Sequence, residues 1–239
     1  MCELYNKPIK CAALPDVSNV TLQINKEKFV DVYSYSGGEI KVNMQYAKNG
    51  IPFAINTAYL RETVAEKLLE AKALLPSGYT FEIFDAWRPY EVQLSLYNIY
   101  KEEIKKSSTP NISEKELNEK ISEFVSLPDK NKQISFVHSS GGAVDLTVLD
   151  YDGRRLDMGS DFDEFTNKSY TCWYEQNSTD ELVIKNRRLL YNVMTSCGFT
   201  NFPSEWWHYD FGDAFWAYYK NEKVIYPSEF EERNVKKYG

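Results

Sequence analysis

Two histidines occur in the 239 residues of this chain, His138 and His208, and each sits in a stretch suited to holding a metal. The first opens the run His138-Ser-Ser-Gly-Gly-Ala-Val-Asp145; the second closes Ser204-Glu205-Trp-Trp-His208. The gap from His138 to Asp145 contains Gly141 and Gly142, which let the chain fold back so that both side chains meet at one point. Two imidazoles and a carboxylate are the donor set of a catalytic zinc site, with a fourth position open for water and a further carboxylate left to move protons. Asp145 also has a plainer reading as half of a buried ion pair, because a carboxylate in the apolar run Ala143-Val-Asp-Leu-Thr-Val-Leu149 needs a counter-charge. Glu-Trp-Trp-His on its own reads equally well as core packing.

Glu205 precedes His208 by three. In a regular strand the two would point to opposite faces, so sharing a site requires Glu205 at the bent start of a strand or on a loop. That placement suits a Glu that touches the metal's water rather than the metal. Arg88 follows a strand pattern and opens a helix pattern. It reads either as the partner of the nearby Asp85 or as a fixed cation beside a developing oxyanion.

The elements that must position these residues follow from periodicity. Val64, Leu68, Ala71 and Leu75 predict a helix over about 59–75, ended by Pro76 and Gly78. Tyr79 to Asp85 alternates as a buried strand leading into Trp87-Arg88-Pro89, and Pro89 starts a helix running to about 105. A polar loop is expected at 106–112. Ser113-Glu-Lys-Glu116 is a capping box for a helix with Leu117, Ile121 and Phe124 on its core face. Ala143 to Leu149 reads as a strand, with a hairpin turn at Asp152-Gly153. Ser178-Thr-Asp-Glu181 is a second capping box, opening a helix that Gly198 stops. Glu205 to Phe211 reads as the last strand. Strands and helices do not alternate regularly, which predicts an α+β fold with a central antiparallel sheet flanked by helices. Residues 1–40 read as an extension packed on a single domain spanning 41–239.

Composition narrows the partners. A net charge of −7 and a pI near 5.1 argue against nucleic acid and anionic membrane as main partners, since both require a basic face. No run of eighteen apolar residues spans a membrane, and the N-terminus lacks the pattern of a signal peptide. Among the four cysteines, Cys172 and Cys197 have no Cys-x-x-Cys spacing, so a cysteine metal site is not expected. A disulfide between the neighbouring Cys2 and Cys11 and a set of buried free thiols are both open readings.

Taken in order, the motifs resemble one family. His-x-x-Gly-x-Ala-x-Asp followed by Glu-Trp-Trp-His-Tyr resembles the zinc D-alanyl-D-alanine dipeptidases associated with vancomycin resistance. The likeness runs from about residue 42 to 212. It includes Asn43-Met-Gln-Tyr46-Ala47, the helix Val64 to Lys72, Asp85-Ala-Trp-Arg88-Pro89, Met158-Gly-Ser-x-Phe-Asp163 and Asn186-Arg-Arg-x-Leu. The resemblance implies a bacterial protein of the Hedgehog/D,D-peptidase-like fold, cytoplasmic or exported to the periplasm or cell surface. It implies one Zn2+ per chain, held by His138, Asp145 and His208, and a small-molecule D,D-dipeptide substrate cleaved by zinc-activated water. Glu205 would then be the general base, Arg88 the stabiliser of the tetrahedral oxyanion, Asp163 the anchor of the substrate ammonium, and Tyr46 part of the pocket lining. One departure stands out: the family usually has Ser two residues before the first His, whereas this chain has Phe136. The alternative within the same chemistry is a D,D- or L,D-carboxypeptidase acting on peptidoglycan stem peptides. A zinc module without activity is opposed by the retention of Glu205 and Arg88.

Overall fold

Helices and strands follow one another without a regular repeat in the computed structural model, which describes residues 2–107, 113–122, 125–164, 166–232, 234 and 236. Phe124 and most of the expected 106–112 loop lie outside these residues. The helices are α1 (Cys2–Asn6), α2 (Val32–Tyr35), α3 (Gln45–Lys48), α4 (Glu62–Ala73), α5 (Tyr90–Ser107), α6 (Glu114–Ser122), α7 (Trp173–Asn177), α8 (Glu181–Ser196) and α9 (Ala214–Lys220). The strands are β1 (Phe29–Asp31), β2 (Lys41–Val42), β3 (Tyr59–Arg61), β4 (Thr80–Asp85), β5 (Ala143–Leu149), β6 (Thr200–Asn201) and β7 (His208–Asp210).

The fold is α+β, but its main sheet is mixed rather than antiparallel. Five strands lie in the order β2-β4-β5-β7-β6, and β2 runs parallel to β4 while the other pairs are antiparallel. The physical reason lies in the connection: β2 and β4 are separated by α3, β3 and α4, a helical crossover long enough to return the chain in the same direction. A second, two-stranded antiparallel sheet joins β1 to β3. Tyr59 to Arg61 therefore forms a strand, and the helix expected from 59 begins at Glu62.

The core lies between the sheet and helices α4 and α8. Val64, Leu68 and Ala71 of α4 and Leu189, Leu190 and Val193 of α8 pack with Phe81, Ile83, Val144, Leu146 and Val148 of the central strands. All seven residues of β5 are buried, which is why its sequence is almost continuously apolar and why its single carboxylate stands out. A satellite apolar cluster of Tyr97, Leu117, Ile121 and Val125 joins α5 to α6.

Local signals fared unevenly. The Ser113–Glu116 capping box forms reciprocally: the Ser113 amide donates to Glu116 Oε2 at 3.0 Å and the Glu116 amide donates to Ser113 Oγ at 3.2 Å. The second box does not form. Asp180 caps α8 instead, accepting from the amides of Leu182 and Val183, because a carboxylate one residue before the helix reaches those donors first. The Asp152-Gly153 turn forms, with Gly153 at φ 77°, but the returning chain pairs only through a bridge between Leu149 and Arg155. Cysteine pairing also differs from expectation. Cys11 is bonded to Cys172, whose Cα lies 5.6 Å away across 161 residues of sequence, and Cys197 is free. Sequence proximity favoured Cys2, but the segment after α1 runs along α7 and α8, where Asn192 Nδ2 donates to the carbonyls of Leu4 and Lys7.

Candidate metal centre and cleft

Sheet register sets the floor of the site. Asp85 on β4 is paired with Asp145 on β5, and Asp145 with His208 on β7, so three functional side chains lie in line across three strands. The β4–β5 ladder shifts register between Ile83 and Asp85, an irregularity that re-aims the strand end. His138 comes from a 3-10 turn, Val137–Ser140, just before β5. Gly141 (φ 73°) reverses the chain there, and a Cβ on it would lie 2.2 Å from Phe29. The segment after His138 is pinned from far along the sequence. The Glu229 amide donates to the Ser139 carbonyl at 2.7 Å, Ser139 Oγ donates to Ser228 Oγ at 2.8 Å, and Trp87 Nε1 donates to the Glu229 carbonyl at 2.7 Å.

His138, Asp145 and His208 turn their donor atoms to one point, all within 4.8 Å of one another, and all three are buried. His208 Nδ1 lies 2.9 Å from Asp145 Oδ1, His138 Nε2 lies 3.3 Å from Asp145 Oδ2, and the two ring nitrogens are 3.2 Å apart. The outward nitrogens decide the tautomers. His138 Nδ1 lies 2.8 Å from the Ala86 carbonyl, which can only accept, so that nitrogen carries the proton. His208 Nε2 lies 2.8 Å from Asp210 Oδ1 and donates likewise. Without a cation, His208 Nδ1 carries a proton and donates to Asp145 Oδ1. A divalent metal of the zinc type would take the place of that proton, and two outward-anchored imidazoles with one carboxylate fit it. Burial works against a charged His208, but Asp210 and Asp145 hold its pKa well above the ordinary value; the same carboxylates favour a metal cation beside it. Burial and the neighbouring Asp210 push the Asp213 carboxyl well up.

Glu205 escapes the parity problem through a turn. Strand β7 begins only at His208, not at Glu205, and the His208 amide donates to the Glu205 carbonyl at 3.3 Å. Residues 205 and 208 are thus the two ends of a four-residue turn, which brings their side chains to one side. Glu205 Oε2 stands 3.8 Å from His208 Nδ1, too far for a hydrogen bond and near enough to reach a small molecule between them. Burial, then the Asp145 and Asp163 carboxylates, push Glu205 up to about 8. The two tryptophans between point away: Trp207 is fully buried against Phe162, and Trp206 Nε1 donates to Ser160 Oγ at 3.0 Å.

That contact ties the turn to the loop carrying Asp163. Phe162 wedges among Tyr46, Phe84 and Trp207. Asp163 follows at φ 58°, a left-handed conformation unusual for a residue other than glycine. Burial and the neighbouring Asp145 raise Asp163 to about 7, although Arg88 and a hydrogen bond from Tyr46 oppose the rise. Arg88 itself meets both of its readings. Its Nε and Nη2 contact Asp85 Oδ2 at 2.8 and 2.7 Å, Nη1 donates to Gln93 Oε1 at 2.6 Å, and Nη2 remains 3.7 Å from Asp145 Oδ2.

All seven residues singled out from the sequence, Tyr46, Arg88, His138, Asp145, Asp163, Glu205 and His208, line one cleft of about 340 Å³. Phe136, Phe202, Phe215 and Leu96 supply apolar wall. Sequence reasoning assigned no role to Asp210 or Gln93. Asp210 was findable, since it lies two residues from His208 on a strand and therefore on the same face. Nothing in the sequence marks Gln93.

The sequence pattern of the D-ala-D-ala dipeptidase family, M15 peptidases, matches residues 51–232. The chain belongs to that family. It is thereby a peptidase, a hydrolase. D-alanyl-D-alanine dipeptidase from Synechocystis is 29% identical over 197 residues, covering 74% of this chain and 79% of that protein. The protein of the same name from Escherichia coli is 30% identical over 142 residues, 58% of each chain. That from Enterococcus faecium is 33% identical over 152 residues, 61% of this chain and 69% of the relative. No described helix of this peptidase is long and apolar enough to cross a membrane.

Proposed function

We propose that this protein hydrolyses D-alanyl-D-alanine to two molecules of D-alanine, using one zinc ion held by His138, Asp145 and His208. The observation that carries this reading is the facing pair of imidazole nitrogens closed by Asp145, with both ring protons engaged on the outside. When bound, the zinc supplies Lewis acidity, lowering the pKa of a water and polarising the peptide carbonyl. Beside a bound cation Glu205 would lose part of the rise in its pKa and be free to accept a proton. Glu205 takes a proton from the attacking water as the new carbon–oxygen bond forms. It returns that proton to the amide nitrogen as the carbon–nitrogen bond breaks, releasing the second D-alanine as a free amine. Negative charge developing on the carbonyl oxygen is met by Arg88, held rigid by Asp85 and Gln93 so that little reorganisation is required. Asp163, with Tyr46 beside it, receives the substrate ammonium. An incoming cation would relieve the burial that raises this carboxyl, so ammonium binding and Asp163 ionisation favour each other.

The fold is assigned by the same proposal to the Hedgehog/D,D-peptidase-like kind, with residues 1–40 as an extension on a domain spanning 41–239. The Cys11–Cys172 disulfide supports an oxidising compartment, hence an exported protein, because such bonds persist poorly in a reducing cytoplasm.

Mass-spectrometric measurement of free alanine from D-Ala-D-Ala, L-Ala-L-Ala, N-acetyl-D-Ala-D-Ala and a stem pentapeptide tests the reading. Cleavage of D-Ala-D-Ala alone is expected, because acetylation removes the ammonium and leaves Asp163 unpaired, a loss of about 1.5–3 kcal/mol for a charge-assisted bond. Equal or faster turnover of the acetylated dipeptide or the pentapeptide would move the protein to the carboxypeptidases.

A further inference from the structure

The Glu205–His208 turn has one internal backbone hydrogen bond, and at 3.3 Å it is long. A side chain from the neighbouring strand does more to hold the turn. Asn201 of β6 is nine-tenths buried, and its Nδ2 donates to both the Glu205 carbonyl at 3.0 Å and the His208 carbonyl at 2.9 Å. Its Oδ1 accepts from Thr171 Oγ1 at 2.7 Å. Both amide hydrogens therefore go to the two ends of the turn, and the amide oxygen faces a separate support. That support is itself anchored. The Thr171 amide donates to the Pro203 carbonyl at 2.9 Å, Ser169 Oγ donates to the Ser204 carbonyl at 2.9 Å, and the Trp206 amide donates to the Ser169 carbonyl at 3.0 Å. Cys172, the next residue, is bonded to Cys11.

We propose that Asn201 is a positioning residue for the hydrolysis: it fixes Glu205 relative to His208, with Thr171 as its brace. Two residues three apart would normally diverge on a strand. They share a site because the turn is closed, and the closure depends on a side chain outside it. Asn201 touches neither substrate nor metal; it sets the distance between the proton carrier and the ligand. A misplacement of the order of 1 Å in such a pair is costly to turnover while leaving ground-state binding nearly intact.

The activity part of the test rests on the dipeptidase reading, and a second measurement is independent of it. For Asn201→Ala, kcat is expected to fall about 10- to 100-fold with KM changed by less than about threefold. Zinc content should stay at about one per chain. Hydrogen–deuterium exchange should quicken over residues 203–208 while β4 and β5 keep their protection. Thr171→Val preserves shape and removes the hydroxyl; its changes should run the same way and be smaller, about 3- to 10-fold in kcat. Should Asn201→Ala fail to fold, Thr171→Val decides alone. Wild-type kcat and wild-type exchange in the variants overturn the proposal. Loss of zinc, or exchange quickened evenly through the molecule, also overturns it, because Asn201 would then support the ligands or the fold at large. If the unaltered protein releases no D-Ala, the dipeptidase reading falls, and the exchange comparison still decides Asn201.

Discussion

In the mechanism we propose, Glu205 and Arg88 divide the chemistry between a mobile proton and a fixed charge, and their variants should fail differently. Glu205→Gln keeps the shape of the side chain and removes its basicity. It should retain zinc, because Glu205 stands 3.8 Å from His208 Nδ1 and outside the trio of ligands, yet lose roughly 100-fold or more in kcat. Metal analysis beside steady-state kinetics checks both halves; zinc lost along with activity would make Glu205 a ligand. Arg88→Lys should cost about 3 kcal/mol in activation energy, on the scale of one lost oxyanion donor. The guanidinium spans Asp85 and Gln93 with separate nitrogens, an arrangement a single ammonium cannot copy. Near-normal turnover would reduce Arg88 to the structural partner of Asp85. At this scale the convergence of His138, Asp145 and His208 was legible, because a chain with two histidines offers few other candidates for a metal site. Asp210 and Gln93 were less so. An acid or an amide near an active residue is common on any surface, and only the geometry shows that Asp210 holds the outer nitrogen of His208.

Among the elements, β5 was read with its observed bounds, Ala143–Leu149, since a strand buried on both faces leaves a continuous apolar signature. The last strand was read too long. Glu205 to Phe211 carries the aromatic composition of a strand, but its first three residues form the turn that Asn201 closes, and a long-range side-chain contact leaves no local trace. The parallel edge strand β2 was missed for a related reason: two residues paired across a crossover carry no periodicity to detect. The turn between His138 and β5 gives a sharp test. A Cβ on Gly142 would lie 2.4 Å from the Phe211 carbonyl oxygen, a backbone atom fixed by the β5–β7 ladder. Gly142→Ala should therefore destabilise the protein by about 1–3 kcal/mol through overpacking. It should also weaken zinc binding, because relief of the clash moves the segment between His138 and Asp145. Urea unfolding and a competitive zinc titration measure the two effects, and an unchanged unfolding midpoint would show that β7 yields more easily than its register suggests.

For the whole molecule, the acidic cleft ties stability to pH when no metal is bound. The folded protein holds Asp163 at about 7 and Glu205 at about 8, both raised above ordinary carboxylate values. His208 is raised as well. Between about pH 4 and pH 8 the folded state therefore binds more protons than the unfolded chain, so unfolding free energy falls as pH rises through that window. The Tm of chelated protein should drop from pH 6 to pH 8, zinc should restore it, and Asp163→Asn should flatten the slope. A Tm that climbs over the same range in chelated protein would contradict the arrangement of charges in the cleft.

The bed of His138 is finished from a distance. Ser228 and Glu229 tie down Ser139, and Glu229 also receives the Trp87 indole one residue before Arg88. A chain emerging from a ribosome thus carries both histidines, Asp145, Glu205 and Arg88 well before it carries the segment that steadies them. A nascent chain that stops short of residue 228 holds the reactive groups without these ties on Ser139 and Trp87.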